Sequence, residues 1–511
     1  MTANDTLQVD YQLPAGCAHL PFLKVGDGAA TIRSKWQAQG QCGRANGDVL
    51  ERLAPSCPRL RFQVPATSDK VTGYPGSFPM GQAVYAHMSN YAVDSQCGPV
   101  SYAFEAPGGV ETASAAFERE AASDADAPAL LFFTRSARGR KDLDYFDPAL
   151  SAAAVTQIRV VADGTATFLR AAMPNALFKR PIIATALPLG PGGPHIEGSA
   201  GDILLLSLFN WPEIPAPQHQ RQMNKLVAHE MSHRFQLRDA VDVYPNSRLI
   251  HEGGAGFLRW TVSLSQGWLT SQEAAAELDD ALAACMLGTE NLSWTELSPR
   301  DVSSRRLEYA CGLPAYVYAL AARQGEGTAY SRLDDFYQQL RRGATPDFAQ
   351  AMECGSSPCA ARVLSRLFDA SAPMRKQWSG VLDQLGLAES SEPSQSQVDA
   401  MMTQALTHLV VEDCAGKRSM TPTPQSILID TLPACRSFRA DVEVVRVEGF
   451  PVFGAKSALP AIVEACSTRH VVELGLNNES TMEVACTTPY QVMTRFYAAD
   501  MEKLTRALTR K

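Results

Sequence analysis

Three residues of one predicted helix have the types and the spacing needed to bind a metal ion and activate water: His229, Glu230 and His233. Residues four apart on an α-helix differ by about 40° around its axis and lie about 6 Å apart along it, so both imidazoles can reach one ion. Glu252 follows after eighteen intervening residues and offers a carboxylate. Three protein ligands that leave a fourth position for water are typical of a catalytic zinc site. The pattern predicts one Zn²⁺ bound by His229, His233 and Glu252, with Glu230 as the general base that takes a proton from water.

The helix that must carry these residues is visible in residues 220–238 as an apolar stripe. Apolar side chains recur there at helical spacing, which predicts that one face of the helix is buried. The stripe consists of Met223, Leu226, Val227, Met231 and Phe235. Residues 253–256 are Gly-rich but lack the Lys-Ser/Thr end of a phosphate-binding loop. We expect these glycines to let the helix of Glu252 pack close to the helix of His229.

The sequence HEMSH, the eighteen-residue spacer and the following Glu-Gly pair resemble the gluzincin metallopeptidases, with the spacing of the aminopeptidase N and leukotriene hydrolase group. The resemblance implies zinc-dependent hydrolysis of peptide bonds in a mostly helical, thermolysin-like catalytic domain. It extends to Tyr309-x-x-Gly312, which an apolar helix follows. In that family a Tyr-x-x-Gly at a similar distance supplies a phenol that stabilises the transition state, and the resemblance carries this role to Tyr309. The alternative for Tyr309 is a core tyrosine at the start of a helix.

A second part of the resemblance concerns substrate binding. Aminopeptidases of this family carry a Gly-x-Met-Glu-Asn edge strand upstream of the zinc motif, and its Glu binds the free amine of the substrate. Residues 193–198 of this chain are GPHIEG, in which Glu197 stands thirty-two residues before His229. Ile196 replaces the Met and Gly198 replaces the Asn, which departs from the family pattern. Glu197 is therefore either the amine anchor or a solvated loop acid.

The resemblance favours an aminopeptidase-like zinc peptidase that acts on a peptide or protein substrate. The alternatives are an endopeptidase, a hydrolase of another small substrate on the same scaffold, or a zinc-stabilised binding protein without activity. Glu230 together with Tyr309 distinguishes an enzyme from a binding protein, because a protein that has lost its chemistry tends to lose one of them. The sequence indicates no oligomeric state.

Changes of composition along the chain predict an α+β multidomain protein. Residues 1–201 are punctuated by Gly and Pro and contain alternating apolar segments, which predicts a β-rich N-terminal domain. Residues 202–388 change to helical periodicity and hold the zinc motif, and residues 388–397 have the composition of a linker. Residues 398–511 are expected to form a small α/β accessory module. It resembles the PDZ domain that related glycyl aminopeptidases carry at this end, and a different α/β module stapled by disulfides is an equal alternative. Its expected elements are a strand, a helix and two strands, at 442–447, 460–466, 471–476 and 482–485.

The overall composition restricts the partners and the compartment. The chain has 511 residues, of which 45% are hydrophobic and 20% charged, so it is long and apolar enough to form several packed domains. Its formal net charge of −8, without a basic block, argues against nucleic acid, and no apolar run is long enough for a membrane span. Twelve cysteines fall in even-numbered local groups, as disulfides within domains would leave them. We expect a periplasmic or secreted protein whose signal, absent from residues 1–10, has been removed, with a cytoplasmic protein containing buried thiols as the alternative.

Overall fold

The protein is described by a computed structural model, and its fold is α+β and multidomain. The structure describes residues 6–67, 76–111, 129–134, 144–189, 193–416, 420–423, 425–488, 490 and 492–510. The chain divides into two compact units. The first contains Met1–Ser247, Leu258–Trp268 and Tyr337–Ala344, and the second contains Arg248–Phe257, Leu269–Phe336 and Thr345–Lys511. The long helix that follows residue 248 therefore contributes residues to both units.

The elements are numbered in chain order. The strands are β1 (Thr6–Gln12), β2 (His19–Pro21), β3 (Gln37–Ala38), β4 (Gly43–Asn46), β5 (Val49–Arg52), β6 (Arg59–Pro65), β7 (Ser77–Met80), β8 (Ala83–His87), β9 (Val110–Glu111), β10 (Ala129–Phe133), β11 (Ile182–Ala186), β12 (His195–Ala200), β13 (Ile203–Phe209), β14 (Ala388–Ser391), β15 (Met420–Pro422), β16 (Ile427–Ile429), β17 (Val442–Val447), β18 (Phe450–Pro451), β19 (Val471–Leu476), β20 (Thr481–Ala485) and β21 (Phe496–Ala499). The helices are α1 (Asp27–Arg33), α2 (Ala152–Ala172), α3 (Pro217–His233), α4 (Arg238–Val241), α5 (Gly254–Ser265), α6 (Ser271–Gly288), α7 (Pro299–Ser304), α8 (Leu307–Ala310), α9 (Gly312–Ala321), α10 (Ala329–Arg341), α11 (Phe348–Glu353), α12 (Leu364–Phe368), α13 (Met374–Leu385), α14 (Gln395–Asp413), α15 (Ala458–Thr468) and α16 (Met501–Thr509). Met88–Asn90 and Trp294–Glu296 form 3₁₀ turns, and Leu249–Gly253 forms a π-helical turn that leads into α5.

The first unit contains several small sheets. The sheets β1-β6-β3, β2-β5-β4 and β7-β8-β10-β9 are antiparallel. The next sheet has the order β11-β13-β12, in which β11 is parallel to β13 and β12 is an antiparallel edge strand. Helices α2 and α3 cover one face of this sheet, where Leu204 and Leu206 of β13 pack with Ile158 of α2 and Val227 of α3. Burial of this apolar layer fixes the orientation of α3 on the sheet.

The second unit is mostly helical up to α14, and a sheet that packs with helices follows. Helix α6 begins at a capping box, in which Thr270 and Glu273 exchange hydrogen bonds. Beyond α14, the strands have the order β15-β16-β17-β19-β20, and β18 pairs with β17. Strands β17, β19 and β20 and helix α15 confirm the four elements expected in this part of the chain. The boundaries predicted for the three domains, and the likeness of the last one to a PDZ domain, stay predictions.

The segment expected to be a linker has regular structure. Strand β14 pairs with β21 from Ala388↔Ala499 to Ser391↔Phe496, and the hydroxyl of Ser394 caps α14 by accepting a hydrogen bond from the amide of Gln397. The partner strand lies more than a hundred residues further along the chain. Local composition carries no information about so distant a partner, which is why the sequence suggested a linker.

All twelve cysteines are paired in six disulfides. The pairs are Cys17–Cys97, Cys42–Cys57, Cys285–Cys311, Cys354–Cys359, Cys414–Cys435 and Cys466–Cys486. Each pair joins cysteines of one local group, as the even-numbered grouping predicts. Disulfides are typical of proteins that mature in an oxidising compartment. Within the described residues, no helix combines the length and the apolar character needed to cross a membrane.

Candidate metal centre

Helix α3 carries the predicted motif in its last two turns. It begins with Pro217 at its first position, where the missing amide hydrogen costs nothing. The apolar stripe predicted from the sequence is buried, and its least exposed side chains are Met223, Val227, Met231 and Phe235. Because this stripe packs against the sheet, His229, Glu230 and His233 lie on the less buried side of α3. These three side chains are half-buried.

The side chains of His229, His233 and Glu252 come together. One potential ligand atom from each residue lies within 4.8 Å of the others. The two Nε2 atoms of the histidines are 3.1 Å apart. Two nitrogens bound to one tetrahedral zinc at about 2.0–2.1 Å are about 3.3 Å apart, so the spacing of these imidazoles fits a single ion. Two imidazole nitrogens and a carboxylate oxygen are also the donor set that zinc prefers in hydrolases.

Glu252 lies in the π-helical turn Leu249–Gly253, directly before α5. Turns of this kind accommodate an extra residue and are frequent at functional sites. The turn is tied to α9, because the hydroxyl of Tyr316 donates a hydrogen bond to the carbonyl of Ile250 at 2.7 Å. Both groups are buried. The backbone that positions the Glu252 carboxylate is therefore held by a second helix.

Two glycines bring this turn against the start of α9. A Cβ added to Gly253 would lie 2.7 Å from the Cα of Gly312, and a Cβ added to Gly312 would lie 2.5 Å from the Cα of Gly253. We expected the glycines after Glu252 to permit packing against the helix of His229. That expectation stays a prediction, and the structure shows Gly253 packed on Gly312, the last residue of the Tyr-x-x-Gly sequence. The Glu-Gly pair and the Tyr-x-x-Gly sequence thus touch through their glycines.

Replacing Gly253 with Ala is expected to destabilise the protein by about 1–3 kcal/mol, the usual cost of overpacking a filled site. The new methyl group would meet backbone atoms, which cannot rotate away. Gly256→Ala is the matched control, because a Cβ there would lie 3.9 Å from the Cβ of Leu313, an ordinary van der Waals contact, and Ala is the better helix former. Urea unfolding of the zinc-free proteins measures both changes. Equal stability of the two variants would contradict close packing at Gly253.

Tyr309 lies in the short helix α8, three residues before Gly312. A buried disulfide between Cys285 and Cys311 fastens this segment to α6. The guanidinium of Arg306, whose backbone is left-handed with a φ of 53°, lies over the Tyr309 ring at 4.9 Å. The disulfide at Cys311 and the guanidinium of Arg306 thus both help to position Tyr309.

Arg248 connects Tyr309 and Glu252 electrostatically. Its guanidinium donates a hydrogen bond of 2.6 Å to Glu308, whose side chain is buried. Partial burial alone lowers the pKa of Arg248, but Glu308, Tyr309 and Glu252 together raise it above its ordinary value. Sequence reasoning did not single out Arg248 or Glu308. The spacing of four residues between Arg248 and Glu252 is the signal that could have identified Arg248, whereas no local spacing leads to Glu308.

Strand β12 borders Glu230 through its backbone. A Cβ added to Gly198 would lie 3.0 Å from the Cγ of Glu230, so a side chain at this position would press on the predicted base. Ile196 packs into the core beneath α3, on the same face of the sheet. Side chains alternate along a strand, so Glu197, between these residues, leaves the strand on the opposite face. There it lies beside Ser207 of β13 and remains partly exposed.

A further contact to the motif comes from the turn after α3. The Nδ1 atom of His233 lies 2.8 Å from the side-chain oxygen of Gln236, and the side-chain nitrogen of Gln236 donates to the hydroxyl of Tyr337 at 3.0 Å. Gln236 was missed in the sequence. Its spacing of three residues from His233 is the only sequence feature that could have indicated the contact.

The comparisons with known proteins concern the fold. No protein-family model matches the chain, and no curated protein matches it. Among solved structures, the chain is similar to a crystal structure of an aminopeptidase N family protein from Idiomarina loihiensis, with a TM-score of 0.51 and 13% sequence identity. The alignment covers 99% of this chain and 97% of the other. Nearly the whole chain therefore has the overall fold of an aminopeptidase N family protein, which agrees with the expected α+β multidomain architecture.

Proposed function

We propose that the protein is a zinc-dependent metallopeptidase, with His229, His233 and Glu252 as the metal ligands. The observation that carries the proposal is the convergence of their three ligand atoms within 4.8 Å. The fold shared with an aminopeptidase N family protein supports a peptidase. When bound, zinc would act as a Lewis acid and lower the pKa of water, so that a nucleophile forms near neutral pH.

The residues of the chain supply the remaining parts of the mechanism. Glu230, next to His229 on α3, takes the proton of the attacking water and passes it to the leaving amine. Tyr309 donates a hydrogen bond to the oxygen of the tetrahedral intermediate, where the loss of one such donor typically costs about 10²–10³ in rate. Among the described residues, β12 is an edge strand of its sheet, and such an edge is suited to pairing with the backbone of an extended peptide. Its glycine at 198 keeps side-chain bulk away from Glu230.

The amine-anchor role of Glu197 stays a prediction of the resemblance. Gly198 faces Glu230, and the side chain of Glu197 lies on the opposite face of β12. Because an amine anchor must face the substrate, endopeptidase action is the second candidate. In either case the substrate is a peptide. Six disulfides support a periplasmic or secreted location for this activity.

The test is hydrolysis of two matched peptide series, with and without a chelator. One series consists of aminoacyl fluorophore amides, and the other of internally quenched peptides, each made with a free and an acetylated amino terminus. We expect hydrolysis that the chelator abolishes and added zinc restores. An aminopeptidase would cleave only peptides with a free amine, and Glu197→Gln would raise its KM, whereas an endopeptidase would cleave both forms equally. Bound zinc without hydrolysis of any substrate would favour a hydrolase of another substrate or a zinc-stabilised binding protein.

A further inference from the structure

We propose that Gln236 and Tyr337 form an amide relay that presents His233 to the metal in the correct tautomer. The inference rests on the proposed zinc site. A neutral imidazole carries one hydrogen and one lone pair on its two nitrogens, so it can bind a metal through Nε2 only when the hydrogen is on Nδ1. Nothing in the His233 side chain itself selects that form. The partner of Nδ1 must therefore select it.

Gln236 is placed to make this selection. Its side-chain oxygen lies 2.8 Å from Nδ1 of His233, and an amide oxygen can only accept a hydrogen bond. With this orientation Nδ1 must donate, and the lone pair of Nε2 is left facing Nε2 of His229 at 3.1 Å. A reversed amide would turn its NH₂ group toward Nδ1 and move the hydrogen to Nε2, where it would block the metal.

Tyr337 satisfies the other end of the amide. Its hydroxyl accepts a hydrogen bond of 3.0 Å from the side-chain nitrogen of Gln236, in the orientation that points the amide oxygen at His233. Tyr337 is fully buried and Gln236 nearly so, so water cannot replace either partner cheaply. The relay is completed by the turn after α3, in which the backbone amide of Gln236 donates to the carbonyl of His233 at 3.1 Å. Gln236 and Tyr337 are thus positioning residues for one ligand.

Two substitutions of Gln236 separate this role from simple packing. Gln236→Met keeps the volume and length of the side chain but removes the acceptor, whereas Gln236→Glu keeps an acceptor at either oxygen and introduces a buried charge. If Gln236 only filled space, Met would be tolerated and Glu would be harmful. If Gln236 sets the tautomer of His233, Gln236→Met should weaken zinc binding and Gln236→Glu should not. Gln222→Met is the matched control, because Gln222 is exposed on α3, the helix that carries His233.

The experiment measures zinc affinity by competition with a chromogenic chelator. We expect Gln236→Met to raise the Kd for zinc by about 10–100-fold, the usual effect of losing a partner behind a metal-bound histidine. Gln236→Glu should bind zinc at least as tightly as the wild type, and Gln222→Met should be unchanged. Zinc affinity of Gln236→Met equal to that of the wild type, or lost equally in Gln236→Glu, would overturn the relay.

A second measurement does not depend on the proposed site. In metal-free protein labelled with ¹⁵N-histidine, at a pH where the imidazoles are neutral, the nitrogen shifts report the tautomer of each ring. We expect His233, identified by its absence in His233→Ala, to be the Nδ1–H form in the wild type and to lose that preference in Gln236→Met. An unchanged tautomer would contradict the relay. A wild-type protein that binds no more zinc than His229→Ala would instead contradict the proposed function, and the two failures are therefore distinguishable.

Discussion

Glu230→Gln is expected to lower kcat by about 10²–10⁴ while zinc stays bound, the range that general acid–base catalysis contributes. Glutamine has the shape of glutamate but cannot take a proton from water. It also keeps an oxygen next to the backbone of Gly198, so the packing of β12 against α3 is preserved. The measurement is kcat on an internally quenched peptide, with the zinc content of the same sample determined by metal analysis.

Glu213→Gln is the control for this substitution, because Glu213 is exposed in the loop before α3. It should change neither kcat nor zinc content. A Glu230→Gln protein that keeps zinc and hydrolyses the peptide within about tenfold of the wild-type rate would remove Glu230 from the mechanism.

Glu252→Ala is expected to weaken zinc binding by more than the roughly 10–100-fold that the loss of an indirect partner costs, because a direct ligand is lost. Two imidazoles alone cannot complete a catalytic zinc site. A ligand that binds only the folded state stabilises it by about 2.7 kcal/mol at a concentration a hundred times its Kd. Zinc should accordingly raise the Tm of the wild type and leave that of Glu252→Ala unchanged.

The zinc-free proteins provide the control for folding. Glu252→Ala and the wild type should unfold at similar temperatures without metal, since the half-buried carboxylate is not part of an apolar core. Glu213→Ala should respond to zinc as the wild type does. A normal zinc-induced rise of Tm in Glu252→Ala would show that the carboxylate is not a ligand.

The elements around the candidate metal centre could be predicted because their signals are local. The stripe through Met223 and Val227 marks the buried face of α3, and a spacing of four residues places His229 and His233 on one side of it. A cap such as Thr270 likewise identifies the start of α6. Each of these patterns lies within a few turns of one helix, so the sequence alone contains it.

What the sequence could not show depends on distant partners. No local pattern indicates that Gly253 packs on Gly312, that Gln236 reaches Tyr337 or that β14 pairs with β21. The sequence also could not show which residues of β12 face α3, because that depends on the register of β12 with β13. That Glu197 lies on the face opposite to Gly198 likewise follows from this register and not from its distance to His229 along the chain.

The pairing of β21 with β14 shows that the chain returns to the helical part of the second unit after the C-terminal sheet. After β20 the chain pairs with β14, and α16 then docks where the buried guanidinium of Arg323 binds the carbonyls of Ala507 and Arg510. The sheet of β15, β16, β17, β19 and β20 therefore lies, in chain order, between α14 and β21, and the chain does not end with it. A chain cut off after β20 would lose β21 and α16, and β14 would lose its partner strand.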